Sequence, residues 1–218
     1  MAETLTTNTT NLIPELRYLA LGDSYTIGEG VAEADRWPMQ LGQALRAGGF
    51  AISDPQIIAK TGWTTDELAA AIDAARPLAE YDLVSLLIGV NNQYRGRGVE
   101  EYHRQFSGLL ERAIGFAQWR RERVLVLSIP DWGVTPFARG EQRDVARIAD
   151  EIDAYNQAAR EVCAQRTVAF IDIAPVSRAH GAEAAMLVED GLHPSAAMYA
   201  EWTRLALPRV RTLLETAQ

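Results

Sequence analysis

The sequence contains little cysteine, little lysine and no long apolar run. Its one cysteine, Cys163, excludes an internal disulfide and a zinc site built from cysteines. Cys163 falls within the apolar spacing of a predicted helix, which indicates a buried and unreactive thiol. The longest apolar stretch runs from about residue 83 to residue 90 and is too short to cross a bilayer. The sequence therefore predicts neither a disulfide-stabilised scaffold nor an integral membrane protein.

Positive charge is also scarce. The chain has 21 Lys and Arg against 29 Asp and Glu in 218 residues, which gives a net charge of −8. This balance argues against nucleic acid or an anionic membrane surface as a partner. The first ten residues have neither a basic start nor an apolar segment, so they do not resemble a secretory signal. We expect a polar tail over residues 1–16, a single domain over residues 17–218 and a cytoplasmic location.

Short apolar runs alternate with longer segments of helical periodicity. Strands are predicted at Tyr18–Leu21, Gln56–Ala59, Asp82–Ile88, Val124–Ile129 and Val168–Ile171. Helices are predicted over residues 38–47, 65–75, 99–119, 145–164 and 196–214, with Thr65 capping the second and Pro208 disturbing the last. This alternation predicts an α/β fold with a five-stranded parallel sheet covered by helices on both faces, most simply with a flavodoxin-like strand order.

Four polar segments fall where such a fold places its functional loops. Three of them directly follow a predicted strand, at residues 22–25, 61–63 and 89–92, and the fourth, residues 190–194, precedes the last helix. Because the loops at the carboxyl ends of parallel strands meet at one edge of the sheet, we expect these segments to lie together.

A nucleophile, a base and an acid are present in these segments. Ser24 lies on the turn that leaves the first strand, where its hydroxyl can face outward. His193 is the best candidate for a base, since His103 and His180 have the surroundings of surface residues. Asp190 precedes His193 by three positions, so in a helical turn its carboxylate can reach Nδ1 and leave Nε2 for Ser24.

An oxyanion needs fixed hydrogen-bond donors in a dry site. Gly62 has no Cβ, so its backbone N–H can approach a substrate closely. The side-chain amide of Asn91 is a second candidate donor, and the N–H of Ser24 is a third.

Each segment also has an ordinary structural explanation. The residues around Ser24 have a common turn composition, Gly62 can be a simple turn residue, and Asn91 fits a plain loop. Asp190 can cap a helix beside a solvated His193. A function of another class is a non-catalytic flavodoxin-like domain that binds a phosphate at the turn of residues 22–30. Against it, residues 28–30 lack the third glycine of a dinucleotide motif and place an acid there.

Four further side chains follow these segments. Trp132 and Phe137 come after the fourth predicted strand, where they can line an acyl or alcohol pocket or can pack the loop onto the core. Tyr94 and Arg95 come just after Asn91, where they can contact a leaving group, although an arginine in such a loop is usually solvated.

Taken together, these segments resemble the GDSL/SGNH hydrolases from about Tyr18 to Leu214. The matching blocks are Gly22-Asp23-Ser24, Gly62, Gly89-x-Asn91 and Asp190-x-x-His193. The resemblance implies a flavodoxin-like three-layer α/β/α sandwich, the SGNH hydrolase fold. It also implies a Ser24–His193–Asp190 triad and an oxyanion hole formed by the amides of Ser24 and Gly62 and the side chain of Asn91. The sequence departs from the family at Asn92, where the family usually has an Asp, and this bears on the hydrogen bonding of that loop and on substrate preference.

The expected activity is that of a metal-independent, cofactor-free serine ester hydrolase. The sequence shows no apolar lid and no cap domain, which favours small-molecule esters with short acyl groups. A lysophospholipase, a thioesterase or a carbohydrate acetylesterase would use the same residues, and transfer of the acyl group to an alcohol is also open. Nothing in the sequence indicates an oligomeric state.

Overall fold

Five parallel strands form one sheet in the computed structural model, which describes residues 15–78 and 80–215. The strands are β1 (Tyr18–Gly22), β2 (Gln56–Ala59), β3 (Leu83–Leu87), β4 (Val124–Leu127) and β5 (Ala169–Ile171). Their order across the sheet is β2-β1-β3-β4-β5, and β1 pairs with both β2 and β3. The predicted fold class and flavodoxin-like order are confirmed.

Helices cover this sheet. They are α1 (Ser24–Ile27), α2 (Trp37–Ala47), α3 (Thr65–Ala75), α4 (Val90–Tyr94), α5 (Val99–Phe116), α6 (Pro136–Gly140), α7 (Val145–Arg166), α8 (Ala174–His180) and α9 (Ala196–Glu215). Helix α2 packs against α9, whereas α5 packs against both α3 and α7. With right-handed crossovers, this grouping places α2 and α9 on one face of the sheet and α3, α5 and α7 on the other.

The central strands are buried on both faces, which explains their nearly continuous apolar sequences. All residues of β1, β3 and β4 are buried. The one polar side chain in β3, Ser85, is satisfied by the hydroxyl of Tyr18 at 2.9 Å. Cys163 is buried as predicted, and burial raises the pKa of its thiol to about 12.

The structure corrects the prediction in several places. The N-cap of α3 is Thr64 rather than Thr65, and the Glu67 carboxylate accepts the backbone N–H of Thr64 at 2.8 Å. Pro208 lies inside α9, which continues past it as the predicted range implied, and the expected disturbance does not interrupt the helix. Helices α4, α6 and α8 were not predicted, because they are too short to show a clear period.

The start of the chain lies mostly outside the described residues, so the predicted tail is described only at residues 15 and 16. Leu16 forms a parallel bridge with Ile52. No helix in the described part of the chain combines the length and the apolar content that a bilayer span requires.

Candidate active site

The turn after β1 presents Ser24 at the edge of the sheet. Asp23 caps the short helix α1, and its Oδ1 accepts the N–H of Tyr25 at 3.0 Å. Ser24 is the first residue of this helix, so its own N–H has no partner within the helix. Gly22 permits this packing, since a Cβ there would overlap the Thr26 hydroxyl and the Leu87 carbonyl. Ser24 therefore stands on a turn with a backbone donor directed away from the helix.

The loop before α9 holds His193 and Asp190 together. His193 Nδ1 lies 2.6 Å from Asp190 Oδ2, while Asp190 Oδ1 accepts the backbone N–H groups of Leu192 and His193 at 2.8 and 2.9 Å. The predicted helical turn is wrong: the residues form an Asx turn, with Gly191 at a φ of 66°. The carboxylate still reaches Nδ1, which fixes the ring orientation.

The pKa of Asp190 is lowered. Partial burial alone would raise it, but the hydrogen bonds from the His193 ring and from the two backbone amides outweigh burial. The side chain of His193 is 12% exposed and that of Asp190 is 43% exposed, so the acid faces solvent while the imidazole faces inward. Within the described residues, the Ser24 hydroxyl makes no hydrogen bond to His193. Such contacts are often long until a substrate binds.

The loop after β2 and helix α4 supply the candidate oxyanion donors. Gly62 adopts a φ of 85°, and its N–H donates to no acceptor within the described residues. Asn91 donates one Nδ2 hydrogen to the Trp63 carbonyl at 3.0 Å. Since an amide nitrogen carries two hydrogens, the second remains for a ligand. Ser24, Gly62 and Asn91 line the same cavity.

Asn92 connects this helix to the start of α3. Its Oδ1 accepts the N–H of Thr65 at 3.0 Å, and its Nδ2 donates to the Thr65 hydroxyl at 2.7 Å. The Thr65 hydroxyl then donates to Gln105 Oε1. Both the oxygen and the nitrogen of the Asn92 amide have a partner, so an asparagine satisfies the position where the family usually has an aspartate.

The cavity has a volume of about 240 Å³ and is walled mainly by apolar side chains. Together with Ser24, Gly62, Asn91 and His193, it is lined by Tyr25, Thr61, Val90, Tyr94, Trp132, Phe137 and Leu192. Tyr94 and Phe137 both meet the Trp132 ring in edge-on contacts, with centroids 5.5 and 6.2 Å away. Trp132 and Phe137 therefore line the pocket and also pack against the core, so both of their predicted roles are observed.

Hydrogen bonds hold the Trp132 wall in place. Its indole N–H donates to Gln93 Oε1 at 2.8 Å, and Gln93 Nε2 donates to Glu151 Oε2 at 2.7 Å. The Phe137 N–H donates to the Gly191 carbonyl at 3.1 Å, which ties this wall to the loop that carries His193. The pocket wall and the acid–base loop are thus one connected structure.

Asp23, which directly precedes the candidate nucleophile, lies in an unusual environment for a carboxyl group. It is fully buried, and its Oδ2 has no hydrogen-bond partner within the described residues. Burial raises its pKa to about 7, although the N–H of Tyr25 partly opposes this rise. The sequence pattern did not reveal that this carboxyl is buried or that its pKa lies near neutrality.

The structure brings together all five residues predicted for the site, namely Ser24, Gly62, Asn91, Asp190 and His193. His103 and His180 lie elsewhere, and the His180 ring contacts Glu183 at 2.8 Å. Arg95 is exposed, as expected for an arginine in this loop, and it also donates to the Gly62 carbonyl at 2.6 Å. Among the described residues, no cluster of three or more His, Cys, Asp or Glu side chains could hold a metal ion.

The turn proposed for phosphate binding offers little to an anion. Helix α1 has only four residues, and the Glu29 carboxylate accepts the Thr61 hydroxyl at its end. A Cβ on Gly30 would lie 2.7 Å from Val188, so the turn is packed against the loop before His193. No observation favours the binding-domain alternative.

Comparison with known proteins identifies the class. The model of the GDSL-like lipase/acylhydrolase family matches residues 20–201, and the chain belongs to this family. It is an ester-bond hydrolase of the GDSL/SGNH type. No curated protein matches the chain by sequence.

Solved structures share the fold at low identity. TesA superposes with a TM-score of 0.71 at 22% identity, over 91% of this chain and 99% of TesA. A lipase/acylhydrolase from Enterococcus faecalis gives 0.68 at 20%, over 90% and 96%. Axe2, an acetyl xylan esterase from Geobacillus stearothermophilus, gives 0.68 at 19%, over 89% and 94%.

Proposed function

We propose that the protein hydrolyses short-chain carboxylic esters through an acyl-enzyme on Ser24. The observation that carries this proposal is the arrangement around one cavity. The Asp190–His193 pair, the Ser24 hydroxyl and the donors of Gly62 and Asn91 all line or directly support its wall. A nucleophile, a base with a fixed tautomer and oxyanion donors are the groups that acyl transfer requires.

In the proposed mechanism, Ser24 Oγ attacks the acyl carbon as His193 Nε2 accepts its proton. Asp190 holds the Nδ1 hydrogen, so the second ring nitrogen is free to act as the base. The oxyanion that develops accepts hydrogen bonds from the N–H groups of Ser24 and Gly62 and from Asn91 Nδ2. His193 then protonates the leaving alcohol, and water removes the acyl group by the same route.

The cavity supports a small acyl group. Its volume of about 240 Å³ is below the roughly 300–1,000 Å³ of pockets for drug-sized ligands. Trp132 is buried and its indole N–H is bound by Gln93, so this wall does not move readily to admit a long acyl chain. Esters of short acids therefore fit this pocket better than lysophospholipids.

The first experiment is intact-mass spectrometry after incubation with a fluorophosphonate. We expect one adduct on the wild type, mapped to Ser24, and none on Ser24→Ala. Ser195→Ala is the matched control, since Ser195 lies two residues after His193 and its hydroxyl donates to the Ala185 carbonyl. Folded wild-type protein that takes up no reagent, or a Ser24→Ala variant that retains turnover, contradicts the proposal.

A series of p-nitrophenyl esters tests the substrate class. We expect kcat/KM to be highest for acyl chains of about two to four carbons and to fall for chains beyond about eight, because the small cavity cannot bury a longer chain. A rise with chain length would favour a lysophospholipase. Activity on acetylated sugars well above that on simple acetates would favour a carbohydrate acetylesterase.

A further inference from the structure

The segment that carries Gly62 depends on side chains of helix α4 for its shape. Three backbone groups of this segment are bound by that helix or its C-cap. The carbonyls of Gly62 and Trp63 accept from Arg95 and Asn91, and the N–H of Thr65 donates to Asn92. The loop of residues 62–65 is therefore held against the helix that supplies Asn91.

Gly62 itself has almost no packing. A Cβ at this position would meet only one heavy atom within 4 Å beyond its chain neighbours, Arg95 Nη2 at 3.8 Å. A glycine at a φ of 85° has no side chain to limit its backbone, so its N–H direction depends on groups that bind its peptide units. The peptide unit between Gly62 and Trp63 is bound on both sides, because Arg95 donates to the Gly62 carbonyl at 2.6 Å and the Trp63 N–H donates to the Lys60 carbonyl at 3.2 Å. The Gly62 N–H lies in the preceding peptide unit, which meets this one at the Gly62 Cα, and Arg95 is the side chain that holds the Gly62 carbonyl.

Arg95 pairs in turn with Glu67, and both side chains are partly exposed. The Arg95 guanidinium lies 3.3 Å from the Glu67 carboxylate, and Glu67 also accepts the N–H of Thr64 at the start of α3. Arg95 and Asn91 are four residues apart, so they project from the same face of one helical turn. One turn thus places the amide of Asn91 and, through Arg95, the backbone of Gly62.

We propose that Arg95 is a positioning residue that fixes the direction of the Gly62 N–H for the oxyanion. This inference rests on the function proposed above. Arg95 forms no bond with substrate in this role. The planar guanidinium bridges the Gly62 carbonyl and the Glu67 carboxylate together, and the single ammonium of a lysine reproduces that bridge only in part.

The test compares Arg95→Met and Arg95→Lys with the wild type, using a p-nitrophenyl ester of a short acid. The matched control is Arg97→Met, because Arg97 pairs with Asp66 and Glu101 and makes no contact with Gly62. Removing a complete oxyanion donor lowers kcat by about 10²–10³-fold, and a displaced donor retains part of its effect. We therefore expect kcat of Arg95→Met to fall roughly 10–100-fold with KM within about twofold.

Three further readouts separate positioning from mere structural support. We expect Arg95→Lys to recover part of kcat, and Arg97→Met to keep the wild-type value. The Ki of a trifluoromethyl ketone, whose hemiketal oxygen mimics the oxyanion, should rise by the factor by which kcat/KM falls. Melting temperatures of Arg95→Met and Arg97→Met should agree within a few degrees.

Several outcomes overturn the inference. An unchanged kcat in Arg95→Met means that Gly62 needs no such support, and a raised KM with unchanged kcat means that Arg95 binds substrate. If Arg95→Met fails to fold, a folded Arg95→Lys with wild-type kcat and Ki refutes positioning. A wild type that neither hydrolyses esters nor reacts with fluorophosphonate refutes the proposed function as well.

Discussion

The buried carboxyl of Asp23 allows a quantitative test, because its titration links folding to pH. The perturbation is Asp23→Asn, which keeps the oxygen that accepts from Tyr25 and removes the ionisable group. In the folded protein, burial raises the pKa of Asp23 from 3.8 to about 7. In the unfolded chain the carboxyl has its ordinary pKa, so between these values the folded state binds more protons than the unfolded state.

The sign of the effect follows from this difference. The contribution of Asp23 to the free energy of unfolding falls as pH rises from about 4 to about 7, since ionising Asp23 in the core is unfavourable. The change integrates to about 4 kcal/mol, because each pKa unit corresponds to about 1.4 kcal/mol. The variant lacks this contribution, so we expect its stability relative to the wild type to increase by about that amount between pH 4 and pH 8.

Urea unfolding followed by tryptophan fluorescence at pH 4, 5, 6, 7 and 8 measures the effect. The two proteins share their other titrating groups, so the difference in unfolding free energy isolates Asp23. The side-chain amide that the substitution introduces adds a constant offset at all pH values. A difference that stays flat across this range would refute the reasoning and show that burial does not raise the pKa of Asp23 in the folded protein.

Two other substitutions test separate parts of the site. Asp190→Asn would present an amide to His193 Nδ1 and would favour the tautomer with hydrogen on Nε2, so we expect kcat to fall roughly 10³-fold in steady-state assays with little change in KM. Gly89→Ala would place a Cβ 2.5 Å from the Tyr102 ring at a φ of 132°, so we expect the free energy of unfolding to drop by about 3 kcal/mol. Gly108→Ala, in an open position of α5, serves as its control and should stabilise by about 0.5–1 kcal/mol. Equal kcat for Asp190→Asn and wild type, or equal denaturation midpoints for the two alanine variants, would contradict these expectations.

The sheet could be predicted from the sequence because its strands are buried on both faces. The run around β3 is nearly all apolar, and the observed strand Leu83–Leu87 lies within the predicted one. Positions of Ser24, Gly62 and Asn91 followed from the fold, since each lies just after a strand. Local hydrogen bonding was harder to predict: Thr64 and Thr65 both suit an N-cap, and the carboxylate of Glu67, which accepts the N–H of Thr64, makes Thr64 the cap.

Contacts between segments that are far apart in the chain could not be predicted from the sequence. Arg95 and Gly62 are 33 residues apart, and their hydrogen bond forms because β2 and β3, the strands that precede them, lie on either side of β1. The Asx turn at Asp190 was missed for a different reason. Its Asp-Gly start is as compatible with a loop as with a helix cap, and the two differ only in backbone angles.

The short separation of Asp190 and His193 has a consequence for how activity can be lost. Since both side chains belong to one four-residue turn, a movement of that turn carries them as a rigid pair. Such a movement therefore changes the distance between His193 and Ser24. The Phe137 N–H holds the Gly191 carbonyl, so displacing Phe137 would move His193 away from Ser24. The hydrogen bond between His193 Nδ1 and Asp190 and its proton would remain. In the proposed mechanism, such a protein would be inactive yet would still show that proton in its NMR spectrum.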